Sequence, residues 1–291
     1  MEQKNKSRRK TIQIILIILG IVMFLTVACV SVTLLVLKPT DNRLNMTLSE
    51  PLSNITDANI IIDQDDGNLF INETLDNAHV LVSGNLQYFE KMGAPKSVIS
   101  RDGNLANFSL TENSGRNQSR LPWSACNGTN DWEIHLNPQV SYDISTKTDG
   151  GNVTIDLTGL SIKHLNTETG AGMTKIVLPN SATNLDVNAN VGAGEITIVV
   201  GESVTGILKI NAHSGAGEVT VLLPDEIAAS FQVKQGQISA DARFIKINEN
   251  TYETSNYAEA NDRVEMIVGS GVGMVTITSN LNIGSTLIDK E

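Results

Sequence analysis

The sequence predicts an all-β fold: a β-solenoid-like stack of short strands in repeats of about 20–23 residues, preceded by one N-terminal transmembrane helix. Three observations predict it. Glycine-centred turns recur at nearly constant spacing through the second half. Apolar and polar residues alternate on both sides of each turn. Residues 12–37 form a 26-residue run without a single charge.

Taken in order, residues 1–10 form a basic tail, in which Lys4, Lys6, Arg8, Arg9 and Lys10 against Glu2 leave a local charge of +4. The whole chain carries −11, so the remainder carries −15. A helix over 11–37 spans roughly 39 Å, enough to cross a hydrocarbon core of about 30 Å with some tilt. Its basic flank puts the N-terminus in the cytoplasm and the acidic remainder outside. A cleaved signal peptide has a shorter apolar region. Cys29 after Thr26, Val27 and Ala28 offers lipidation as the alternative, although the apolar run continues to Leu37. The second cysteine, Cys126, then has no extracytoplasmic partner in the chain.

Residues 38–57, with Pro39 and Pro51 among Asn, Ser and Thr, read as a stalk linker. Residues 58–130 read as an N-terminal β region of short strands, with turns at Gly67, Gly84 and Gly103 and an irregular loop over 111–130. A structureless loop of that length is uncommon in a compact domain and points to function or to a seam.

The repeat domain spans 131–279, with 280–291 as a C-terminal tail. Its turns read DGGNVTIDL from Asp149, GAGMTKIVLP from Gly170, GAGEITIVV from Gly192, GAGEVTVLLP from Gly215 and GVGMVTITS from Gly271, the first four starting 21, 22 and 23 residues apart. A degenerate copy, KQGQISA, surrounds Gly236. Before the turns, Leu165, Val187, Ile210 and Met266 each fall five residues ahead of the first glycine. Each unit is therefore strand, glycine corner, strand and connection. The corner residues Gly151, Gly170, Gly172, Gly192, Gly194, Gly215, Gly217, Gly271 and Gly273 are structural: a corner this tight calls for positive φ or close approach of the next rung. One such unit cannot bury its apolar face alone, but stacked units build a continuous core.

DWEIHL at 131–136, GGNVTIDLTGLSIKHLNTETGAG, the GAGE turns and the closing YETSNYAEANDRVEMIVGSGVGMVTI resemble the toast-rack family of adhesin-like domains. They are also similar to the C-terminal domain of bacterial membrane proteins that respond to cell-wall-active antibiotics. The resemblance covers 131–279 throughout and 58–110 less specifically. It implies an all-β stack displayed at the cell envelope, with no catalytic residues to carry over. Met173 and Met274 stand where the family often has an acidic residue, which would interrupt an acidic row.

Several chemistries are excluded. A pI near 4.8 without a basic stripe opposes nucleic-acid binding. Two cysteines cannot make a zinc module or a disulfide framework. The GAGE glycines lead into strands and not into a helix N-terminus, so they build no dinucleotide site. Weak calcium candidates are Asp63, Asp65 and Asp66 before Gly67, whose spacing fails the EF-hand pattern, and Glu195 and Glu218 on neighbouring repeats; a solvated acidic surface is the plainer reading. His79, His135, His164 and His213 lack metal-ligand spacing, and His213 beside Ser214 lacks an orienting acid. The Asn-x-Ser/Thr triplets at Asn45, Asn54, Asn72, Asn107, Asn117, Asn127 and Asn152 are chance occurrences in a bacterial chain. The expected protein is thus a single-pass membrane protein whose ectodomain is a non-enzymatic, adhesin-like binding or sensing module, needing no cofactor, with an envelope protein or cell-wall polymer as partner. The alternatives are an enzyme acting on an envelope polysaccharide and a self-associating structural element.

Overall fold

The computed structural model describes residues 42–74, 79–90, 92–113 and 130–279. The membrane helix expected over 11–37, Cys29, Cys126, the triplets at Asn117 and Asn127 and the tail 280–291 lie outside the described residues. Among the described residues no helix is long and apolar enough to cross a membrane. The strands are β1 (Arg43–Pro51), β2 (Asp57–Glu73), β3 (Val80–Phe89), β4 (Lys96–Asp102), β5 (Leu105–Thr111), β6 (Asn130–Leu136), β7 (Ser141–Gly150), β8 (Val153–Asp156), β9 (Ser161–Val177) and β10 (Ser181–Thr183). They continue with β11 (Asp186–Val199), β12 (Ser203–Thr205), β13 (Ile207–Ala216), β14 (Val219–Leu223), β15 (Ala228–Val233), β16 (Gln237–Ala240), β17 (Phe244–Lys246), β18 (Thr251–Thr254), β19 (Arg263–Val272) and β20 (Met274–Ser279). A 3-10 turn, Tyr257–Glu259, precedes β19.

Each rung but β5–β6 turns a corner at a glycine, and its first strand joins one wall and its second strand the other. The rows expected from the repeat spacing pair in register: Leu165 opposite Val187, Val187 opposite Ile210, and Ile210 opposite Met266. Beyond the corner, Val153, Thr174, Ile196 and Val219 align in the same way. Alternation along each strand sends these rows inward, where they are buried. Close parallel stacking also explains why the core manages with 4% aromatic residues: Val, Ile, Leu and Thr fill the space between the walls.

The corner glycines form two columns. Gly151, Gly172, Gly194, Gly217 and Gly273 all adopt positive φ, between 115° and 154°. A Cβ on Gly194 would collide with the carbonyl oxygen of Gly172, and one on Gly217 with that of Gly194. In the second column a Cβ on Gly192 or Gly215 would come within 2.5 Å of the carbonyl oxygen of Gly170 or Gly192 respectively. Backbone therefore stacks on backbone at these corners, and glycine is the residue that fits.

The rungs do not stack in chain order at either end. At the N-terminal end β2 lies between β5–β6 and β7–β8, pairing in parallel with all four. At the C-terminal end β19 inserts between β13 and β15, and β20 between β14 and β16. The degenerate repeat around Gly236 is thus the outermost full rung, and the closing GVGMVTI segment lies one rung further in. Antiparallel strands finish the stack, with β4 on β5, β3 on β6 and β1 on β3, and β18 on β15 and β17 on β18.

Three local expectations change. The stretch read as a stalk, 38–57, contains β1, which pairs antiparallel with β3 and buries Leu48. Its Leu44, Met46, Leu48 alternation spans too few residues to stand out beside Pro51. The division at 130/131 is not a boundary, because β6 completes a rung begun by β5 and both flank β2. Gly84 is not a turn residue: it lies within β3, where a Cβ would strike the carbonyl oxygen of Glu133 on β6.

Candidate functional site

The first wall presents side chains to solvent in rows, because parallel strands in register place equivalent residues one strand spacing apart, about 4.8 Å. One row runs Asn59, Asp143, His164, Asp186, Lys209, Glu265. His164 sits between two carboxylates, with Nδ1 2.6 Å from Asp143 Oδ1 and Nε2 3.7 Å from Asp186 Oδ2. Beside it runs a row with Ser145, Asn166, Asn188, Asn211 and Ile267, in which Asn211 Nδ2 donates to Asn188 Oδ1 at 3.4 Å.

The later members of these rows, from His164 and Asn188 onward, floor a groove of about 470 Å³, lined among others by His164, Asp186, Asn188, Lys209, Asn211 and Tyr257. Tyr257 arrives from the 3-10 turn and rims it. The Tyr257 hydroxyl donates to Glu265 Oε1 at 3.3 Å, and Arg263 Nε donates to the same oxygen at 3.0 Å. Burial, then the Glu265 charge, pushes the Tyr257 hydroxyl above its ordinary pKa, so the phenol stays protonated and able to donate. The Arg263 guanidinium lies over the Tyr257 ring, 5.4 Å from its centroid, and fixes the ring's tilt. At the edge of the wall Lys163 Nζ donates to Asp57 Oδ1 at 2.6 Å, which holds the Asp57 carboxyl below the usual range.

A second concavity, about 670 Å³, lies on the other wall and is lined by Asn72, Glu73, Thr74, Glu133, His135, Asp156, Thr158 and Gly159. Here His135 Nδ1 and Asn72 Oδ1 are 2.5 Å apart, and His135 Nε2 lies 3.6 Å from Glu133 Oε1.

The sequence-derived calcium candidates divide between two places. Glu195 and Glu218 are exposed neighbours on the second wall, flanked in the same row by Met173 and Met274. Asp63, Asp65 and Asp66 approach the corner of β2 on the first wall. Among the described residues no three of His, Cys, Asp and Glu gather into a metal-holding group. His213 and Ser214 point to opposite sides of β13: His213 is exposed, while Ser214 is buried and donates from Oγ to the carbonyl of Gly194 at 2.8 Å.

The corner of β2 holds a group that composition and spacing do not reveal. Glu112 accepts from the backbone N–H of Asp65 at 2.7 Å and from Asn130 Nδ2 at 2.6 Å. Gln64 Nε2 donates to the Asn130 carbonyl at 2.9 Å. Burial, reinforced by the charges of Asp65 and Asp66 and opposed by the backbone hydrogen bonds, pushes the Glu112 carboxyl up to about 7. The end of β5 and the start of β6 therefore meet at one corner through Glu112 and Asn130, where the other rungs have glycine. The outward Asn row was within reach of the sequence, since its residues share the 22- and 23-residue spacing of the corners. Tyr257 was not, because it comes from a connection outside the repeat.

A profile of the N-terminal toast-rack domain matches residues 38–199. A crystal structure of a candidate cell adhesion protein from Clostridium sporogenes superposes with a TM-score of 0.59 at 21% identity, covering 82% of this chain and 100% of that one. A candidate adhesin from Bacteroides fragilis aligns at 13% identity and a TM-score of 0.31, over 82% of this chain and 98% of that one. No curated protein matches the chain. With more than half its length matched by the profile, and with the glycine columns and stacked rungs in place, the chain belongs to the toast-rack family.

Proposed function

We propose that this protein is a non-enzymatic, adhesin-like binding module of the bacterial cell envelope, anchored by the 11–37 segment with its β-stack outside the membrane, and that the first wall grips a hydroxyl-rich wall polymer. The observation that carries the reading is the pair Asn188 and Asn211 beside Asp186 and Lys209, open to solvent in a groove rimmed by Tyr257, with Asn166 continuing the same row one strand beyond the groove. Carboxamides both donate and accept, which suits hydroxyl groups, and a tyrosine ring offers a flat apolar face. Because the strands hold these groups at a fixed repeat, little ordering cost remains when an extended chain lies across them. Charge distribution supports the topology, with +4 in residues 1–10 and −15 beyond. The adhesion-related description of the Clostridium sporogenes structure is in keeping with this role.

Co-sedimentation of the full chain with insoluble peptidoglycan tests it. Asn188→Ala with Asn211→Ala, and separately Tyr257→Ala, should weaken retention roughly tenfold or more while leaving the melting temperature near the parent's. Retention equal to the parent's would remove the groove from the binding surface. Protease digestion of intact cells tests the topology, since an external stack is cleaved from outside and an internal one is protected.

A further inference from the structure

The first wall ends on β4, whose described pairing is with β5 alone. Among the described residues nothing pairs with its other edge, which carries a row of backbone N–H and C=O groups. Lys96, Val98, Ser100 and Asp102 are exposed on its outer face, Val98 to 49%. On the inner face Ile99 packs against the core yet stays only partly buried, and among the described residues no further rung covers it.

Charge placement says what fits this edge. An edge protected by lysine alone repels every other copy of itself. β4 instead carries Lys96 at its first position and Asp102 at its last. A second β4 laid parallel and in register sets lysine against lysine and aspartate against aspartate. Laid antiparallel about Ile99, it sets each Lys96 opposite the other copy's Asp102 and each Val98 opposite Ser100, with the two Ile99 side chains adjacent on the inner face. Opposite charges directly across an antiparallel pair are stabilising and like charges are not, so the strand is self-complementary in one orientation.

We infer that two copies of this chain associate head to head through antiparallel pairing of their β4 strands, centred on Ile99, extending the first wall into one sheet across both copies. The inference stands on the edge itself and is independent of what the groove binds.

Sedimentation velocity of the full chain in density-matched detergent tests it. A reversible dimer is expected. Lys96→Asp and Asp102→Lys should each raise its dissociation constant by roughly tenfold or more, since either substitution creates two like-charge pairs, and Lys96→Asp combined with Asp102→Lys should restore it. These side chains are exposed, so melting temperatures should stay near the parent's and loss of fold is separable from loss of association. In a Cys29→Ala, Cys126→Ala background, Ile99→Cys should give a disulfide-linked dimer on mild oxidation. Lys96→Cys should not, because the two copies of that position lie about 20 Å apart in the antiparallel pair. A monomer at every concentration, single charge reversals without effect, or equal crosslinking at 96 and 99 would overturn the inference.

Discussion

Asn130 closes on Glu112: its amide Nδ2 donates to Glu112 Oε1 at 2.6 Å, tying the return of the chain into β6 to its departure from β5. This one contact replaces the glycine corner that turns the other rungs. The same carboxylate accepts from the Asp65 backbone, so β2, β5 and β6 meet on a single partly desolvated acid.

The position of that acid makes stability depend on pH in an unusual direction. The Glu112 carboxyl is raised to about 7 in the fold, against 4.5 for its ordinary value. The folded state therefore binds the proton more tightly than the unfolded chain, and stability from this group is fully present below pH 4.5 and lost as pH rises through about 7. The loss should be about 2 kcal/mol or less once its partial exposure is discounted. Thermal melts of the parent and Glu112→Gln between pH 4.5 and 8 check this: the substitution should flatten the decline across that window, with Asn130 reversing its amide to meet the new donor. An unchanged pH slope would assign it to other groups.

The glycine columns predict a steep contrast between corners and turns. Gly194→Val and Gly217→Val place a branched side chain at φ +143° against a carbonyl oxygen of the preceding rung. Backbone strain and overpacking together should cost about 3 kcal/mol or more in each case. Gly103, at φ +60° in the β4–β5 hairpin, has open space where a Cβ would sit. Gly103→Ala should cost about 1 kcal/mol, the conformational penalty alone. Equal melting temperatures across the three variants would contradict backbone-on-backbone stacking.

Arg243 illustrates how the connections seal the stack. Its Nη1 donates to the Pro224 carbonyl at 2.7 Å and its Nη2 to the Leu223 carbonyl at 3.3 Å, while the guanidinium lies 5.2 Å from the Phe244 ring centroid. Its Nε and Asp241 Oδ2 approach to 3.4 Å as a charge contact without hydrogen-bond geometry. A lysine ammonium cannot reach two carbonyls in a fixed fork, so Arg243→Lys should destabilise by about 1–2 kcal/mol despite preserving the charge. Denaturant unfolding at constant m-value measures it, and a shift within error would show that the fork contributes nothing net.

Much of this architecture is written locally and some of it is not. Gly192, Gly194, Gly215 and Gly217 disclose corners because positive φ and close approach are demands on single positions. Leu165, Val187, Ile210 and Met266 disclose a row because period-two alternation is a short-range pattern. Rung order leaves no comparable trace. Every rung carries the same apolar alternation, so nothing in 263–279 marks it as the neighbour of 207–223 in preference to 228–240. The groove inherits this gap: Asn188 and Asn211 follow from the repeat, but Glu265 joins their wall only through the inserted β19, and Tyr257 only through the turn before it.

That insertion predicts an inverted response to truncation. Ending the chain after residue 260 removes β19 and β20, among the described residues the one full rung that β15 and β16 pair with, and β15 has no described pairing with β13. Residues 228–254 would then keep only their own antiparallel contacts, too few to order so short a segment in water. Ending after 226 removes that segment as well and leaves β13 and β14 as a clean edge supported by β11. Limited proteolysis should therefore cut the longer product rapidly within 228–254 and trim it towards the shorter one, while the shorter product resists. Resistance of 228–254 in the chain ending at 260 would mean that this region holds its fold without the inserted rung, and that β19 is a late addition to the stack and not its lock.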